Sequence, residues 1–121
     1  MPHEDVAHFL PLSPAVFHVM VSLADGSRHG YAIIKDVAER TGGTERLGAG
    51  TLYAIIKRLL SDSLITEIPS AEHAPGGDQR RRYYRLTALG RKVATAEAER
   101  RERAVATARS SRLLPTPSAA R

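Results

Sequence analysis

At 121 residues the chain has room for one domain and its core but not comfortably for two. Its 18 basic and 13 acidic residues leave a net charge of +5 at pH 7, which favours a polyanionic partner. It contains no cysteine, which excludes disulfides, thiolate metal sites and a cysteine nucleophile. No apolar run is long enough for a bilayer, and the opening MPHEDVAHFLPLSP lacks the basic and apolar parts of a secretory signal. A soluble, cytoplasmic protein with no membrane partner is expected.

The first helix is predicted at Leu12-Ser13-Pro14. Ser13 can cap it, proline fits the first helical position, and Leu12 is placed to staple onto Phe17. Its stripe of Val16, Phe17, Met20, Val21 and Ala24 is widened by Val19 and Leu23, so the helix should be buried on more than one side. Asp25-Gly26 should end it. A second helix is predicted from about Gly30 to Arg40, with Ile33, Ile34, Val37 and Ala38 inward, stopped by Thr41-Gly42-Gly43.

The third helix should start near Gly50-Thr51. Leu52, Ile55, Ile56, Leu59 and Leu60 follow the spacing of a buried helical face, which turns Thr51, Tyr53, Ala54, Lys57, Arg58 and Ser61 outward. Leu64–Ile68 reads as a short strand ended by Pro69, and residues 70–79 as a polar hairpin tip. In the returning strand a period of two puts Tyr84 and Leu86 on the core side, with Arg81, Tyr83 and Arg85 opposite. Thr87 should cap a long last helix running through Leu89, Val93, Ala96, Arg100 and Ala104 to about Arg109. The tail Leu113–Arg121 should be disordered.

This order predicts an α+β, mainly α fold: a winged helix-turn-helix with a two-stranded wing and a long C-terminal helix. The expected divisions are an N-terminal arm (1–11), a DNA-binding winged helix-turn-helix domain (12–86), a dimerisation helix (87–109) and a disordered tail (110–121). Only Lys35, Lys57 and Lys92 are lysine, so the positive charge is almost all arginine, whose planar fork suits phosphates and guanine edges. Thr51, Tyr53, Lys57 and Arg58 lie where a recognition helix would reach base edges, although the same pattern suits a solvated face. Tyr53 could instead pack under the wing.

Arg80, Arg81 and Arg82 lie where a wing would hold phosphates. Edge-strand charge can also serve only to block sheet-to-sheet aggregation, but three adjacent arginines exceed that need. The run Arg100–Arg103, with Glu97, Glu99 and Glu102 around it, reads as a solvated helix face. Leu89, Val93 and Ala96 form a seam too thin to stand alone. It could pack on Phe17, Met20 and Leu23 of a second copy, making those six residues the expected dimer interface.

Taken together, Leu12-Ser13-Pro14, His29-Gly30-Tyr31, Gly50-Thr51-Leu52-Tyr53, Leu59-Leu60, Leu64-Ile65 and RYYRLTALG at Arg82–Gly90 resemble the PadR-like transcriptional regulators. The resemblance is to short members with a single C-terminal helix, and covers roughly residues 10–108. It implies a homodimeric repressor of double-stranded DNA at an inverted repeat, released by a small aromatic effector. It also implies a phosphate contact by Tyr31, for which burial of the ring is the equal alternative. The chain has no tryptophan, so no effector pocket of stacked tryptophans can form. His3, His8, His18, His29 and His73 show no metal-ligand spacing, and no phosphate loop or nucleophile motif occurs. No metal, cofactor or enzymatic activity is expected. The rival reading is a winged-helix protein-interaction module that does not bind DNA.

Overall fold

The structure, a computed structural model, describes residues 6–69 and 81–117. A 3₁₀ turn at Val6–Phe9 leads into helix α1 (Pro14–Ser22). The Ser13 hydroxyl accepts from the Val16 amide at 3.2 Å, as a capping serine should. α1 stops short of Asp25-Gly26, because turn bonds from the amides of Ala24 and Gly26 replace the helical ladder. Strand β1 (Arg28–His29) follows, then α2 (Gly30–Arg40), α3 (Ala49–Ser61), β2 (Ile65–Ile68), β3 (Tyr83–Leu86) and α4 (Ala88–Ser110). α2 ends at Thr41, and Gly42 and Gly43 take the left-handed conformation that carries the chain away.

The three strands form an antiparallel sheet in the order β1-β3-β2. The expected hairpin therefore gains a third strand, with His29 opposite Tyr83 and Arg28 opposite Tyr84. In the hairpin, Ile65 lies opposite Leu86 and Glu67 opposite Tyr84. Tyr84 is buried and Arg85 exposed, the alternation that the period of two predicts. The hairpin tip at 70–79, Arg80, His3 and His73 lie outside the described residues.

The core gathers Val16, Val19, Met20 and Leu23 from α1 and its end, Ile33 and Val37 from α2, and Leu52, Ile56 and Leu59 from α3. Ile65, Tyr84 and Val93 close it from the sheet and α4. Leu60, expected inward, is 36% exposed. At 100° per residue it lies about 80° round the helix from Leu52, at the rim of the apolar stripe.

α4 folds back onto α1 and the 3₁₀ turn of its own chain. This corrects three residues expected at a contact between subunits. Met20, Leu23 and Val93 are 0%, 1% and 0% exposed within the single protomer, so the two surplus apolar faces satisfy one another internally. Phe17, Leu89 and Ala96 are only half-buried.

Two polar devices fix α4. At its start, the Thr87 hydroxyl accepts from the Gly90 amide at 2.9 Å and donates to the Ser63 carbonyl at 2.7 Å. Ser63 itself sits at φ 60° just beyond α3, so one side chain joins the end of α3 to the beginning of α4. Gly90 passes so close to the Leu64 carbonyl that a Cβ there would overlap the oxygen.

Further along, the fully buried Glu97 accepts from the Leu12 amide at 3.1 Å and is clasped by Arg100 and Arg101 at 2.8 and 2.6 Å. Those bonds, the Arg100 guanidinium first, outweigh burial and hold its carboxyl down at about 2. Arg101 also lies over the Phe17 ring, 4.2 Å from its centroid. Arg100 and Arg101 are thus structural, where the sequence suggested a merely solvated face.

Candidate nucleic-acid interface

α3 carries no acidic side chain between Ala49 and Ser61, and Thr51, Tyr53, Lys57 and Arg58 are all exposed on it. Among the described residues Lys57 has no ion pair. Arg58 is 70% exposed and only loosely paired with Asp62 at 3.9 Å. Gly48 supplies no capping side chain, so the first amides of α3 remain available to an acceptor. This face is cationic and polar, and its groups are largely uncommitted.

Tyr31 is 68% exposed at the start of α2, which removes the buried alternative for its ring. Tyr53 is 50% exposed, so it is not buried beneath the wing. Its hydroxyl end lies over Gly30, where any Cβ would collide with it. The glycine thus lets the outer face of α3 touch the beginning of α2. Beside it, His29 caps α2 by accepting the Ala32 amide on Nδ1 at 3.2 Å.

His29 also meets the wing. Its ring stands edge-on to Tyr83, with centroids 5.3 Å apart, and an Arg81 guanidinium nitrogen lies 3.1 Å from its Nε2. Burial first, then the charge of Arg81, pushes the imidazole below its ordinary range. Arg82 reaches Glu67 across the hairpin at 3.3 Å, an exposed pair of little energetic weight. Thr51, Tyr53, Lys57 and Arg58 on α3, Tyr31 on α2, and Arg81 and Arg82 on the wing therefore belong to three elements connected through Gly30 and His29. Sequence reasoning missed His29 because histidine is not a usual cap and β1 is too short to show a pattern. Its position directly before the Gly30-Tyr31 helix start was the available signal.

Among the described residues, no three His, Asp or Glu side chains gather to hold a metal ion. Among the same residues, no helix is long and apolar enough to cross a membrane. The fold is that of the winged helix-turn-helix transcriptional regulators. Residues 19–96 match the PadR-like family of transcriptional regulators, and the chain belongs to that family. Its members regulate transcription by binding DNA and are not enzymes.

An uncharacterized protein of Lysinibacillus sphaericus is 33% identical over 69 residues, 57% of this chain. The match spans 61% of that relative's length. Among solved structures, a PadR family transcription regulator of Clostridium difficile superposes with a TM-score of 0.68 at 28% identity, covering 81% of this chain and 97% of the other. A PadR family regulator of Eggerthella lenta gives 0.61 at 28% identity, covering 84% and 82%.

Proposed function

We propose that the protein is a homodimeric repressor that reads an inverted-repeat operator, with α3 in the major groove and the wing on the flanking backbone. The observation that carries this reading is the continuity of the cationic surface. Lys57 and Arg58 are directed outward from the same helix whose Tyr53 touches the start of α2, and Arg81 extends from the wing to the same helix start. Thr51, Tyr53, Lys57 and Arg58 are assigned to the groove, and Tyr31, Arg80, Arg81 and Arg82 to phosphates. In a two-fold dimer the two α3 helices would stand about 34 Å apart, one turn of DNA.

Dimerisation is assigned to the outer side of α4. An apolar groove of about 180 Å³ lies on one flank, among Phe17, Val21, Ala94 and Ala98. A larger one of about 560 Å³ lies on the other, among Val6, Ala88, Lys92 and Ala96. Val105, 40% exposed, continues the surface beyond the point where α4 leaves its own core. A small aromatic acid could enter the larger groove, where Arg91 and Lys92 offer charge to its carboxylate. It would release DNA only by binding one dimer geometry better than the other.

Fluorescence anisotropy on duplex DNA across a salt series tests the DNA contacts, and sedimentation at micromolar concentration tests the assembly. Steep loss of affinity with salt and a two-chain mass are expected. Salt-insensitive binding would favour a protein-interaction module, and a monomer would overturn the two-fold operator.

A further inference from the structure

The contact between His29 and Arg81 contains a conflict that its own atoms cannot resolve. A neutral imidazole carries one N–H. Nδ1 accepts the Ala32 amide, so the hydrogen belongs on Nε2. The Arg81 nitrogen 3.1 Å from Nε2 is also a donor only. Moving the proton to Nδ1 relieves that contact but sets two donors face to face at the helix cap. Protonating both nitrogens spoils both contacts at once. Neither neutral tautomer of His29 nor its imidazolium satisfies Ala32 and Arg81 together.

An acceptor between the two donors satisfies everything. One anionic oxygen about 2.9 Å from both Nε2 and the guanidinium nitrogen would take a hydrogen bond from each while Nδ1 keeps its cap. The ring cannot easily turn away, because Tyr83 stands edge-on against it and is its partner in the β1–β3 register. Arg81 makes other contacts as well, and the conflict concerns only the nitrogen that faces His29.

The geometry points to His29 Nε2–H and the Arg81 guanidinium as a two-donor clasp for a single phosphodiester oxygen of the DNA backbone. His29 is then a binding residue as well as a helix cap, and bound phosphate adds a second tie between wing and α2 to the β1–β3 pairing already present. This inference rests on the DNA-binding reading above and adds to it a coupling between two elements that otherwise bind phosphates independently.

A double-mutant cycle tests it, using the full chain and a random-sequence duplex at fixed low salt. His29→Asn keeps a side-chain oxygen to cap the Ala32 amide but loses the distal donor. With Arg81 intact, it should weaken binding by about tenfold or more, the effect of one hydrogen bond to a charged acceptor. In an Arg81→Ala background the same change should have almost no effect, because the clasp is already open. Arg81→Ala should lower the slope of log affinity against log salt by about 0.9, the share of one permanently charged phosphate contact. His29→Ser, with another short capping oxygen, repeats the cycle should the asparagine variant melt early. Equal losses in both backgrounds, or no loss in either, would overturn the clasp while leaving DNA binding intact. A wild-type protein with no salt-dependent affinity for duplex would remove the DNA-binding reading and the clasp with it.

Discussion

Arg81 and Arg82 of the wing and Arg100 and Arg101 of α4 come from two runs that look alike on paper, yet they face opposite ways. The α4 pair turns inward. It closes on a carboxylate with no solvent exposure, and one guanidinium covers an aromatic ring as well. The wing pair extends outward, where Arg82 meets an exposed glutamate and Arg81 lies beside the His29 ring among other contacts. The difference lies in what stands three and four residues earlier. Glu97 precedes Arg100 and Arg101 by one helical turn, on the side of α4 that meets Leu12. An arginine run thus turns inward when the helix supplies a buried acid in register, as Glu97 does for Arg100 and Arg101.

The comparison breaks most visibly at Glu97. Glu97→Gln should cost about 2–3 kcal/mol in chemical denaturation. That is less than the ~3–5 of a fully buried pair, because both arginines keep a third or more of their side chains in water. The same group sets an acid limit. Its folded pKa lies below the ordinary 4.5, so its stabilisation is complete above that value and drains away as pH falls toward about 2. Wild-type stability should decline through this window more steeply than that of the glutamine variant. Parallel curves would show that the clasp contributes nothing.

The wing should respond in the opposite observable. Replacing Arg80, Arg81 and Arg82 together with alanine should reduce the salt slope of DNA binding by up to about 3 and leave the thermal midpoint unmoved. A drop in the midpoint of many degrees would place these arginines in the same class as Arg100 and Arg101. Lys57→Ala is a milder change. A single ammonium cannot make a two-pronged base contact, so the gap between operator and random DNA should narrow by about 1 kcal/mol. Unchanged discrimination in a binding titration would take Lys57 out of the groove. The smallest effect is expected at the joint of α3 and α4. Ser63→Gly relieves a left-handed non-glycine residue and should stabilise the fold by under ~1 kcal/mol in the same denaturation assay.

Much of the architecture was legible because it depends on local signals. Ser13 and Thr87 cap the helices they were expected to cap, and α2 runs between the limits that its glycines suggested. The outward set on α3 follows from helical period alone. What escaped depended on distant partners. β1 is two residues long and exists only because β3 pairs with it. Glu97 reads as one more polar residue of an exposed helix until the Leu12 amide, 85 positions away, reaches it. Val93 and Met20 were recognised as apolar faces needing cover, but periodicity cannot say whether that cover comes from the same chain or from another.

The Thr87 hydroxyl, held between the Ser63 carbonyl and the Gly90 amide, also works as a hinge pin. The 23 residues of α4 extend for about 34 Å from that point. A tilt of about 5° at the pin sweeps the far end through about 3 Å, or, read the other way, a push of that size at the tip turns the pin by 5°. α3 ends two residues before the carbonyl that the pin grips, so the helix assigned to the groove sits at the short end of a lever whose long end is exposed.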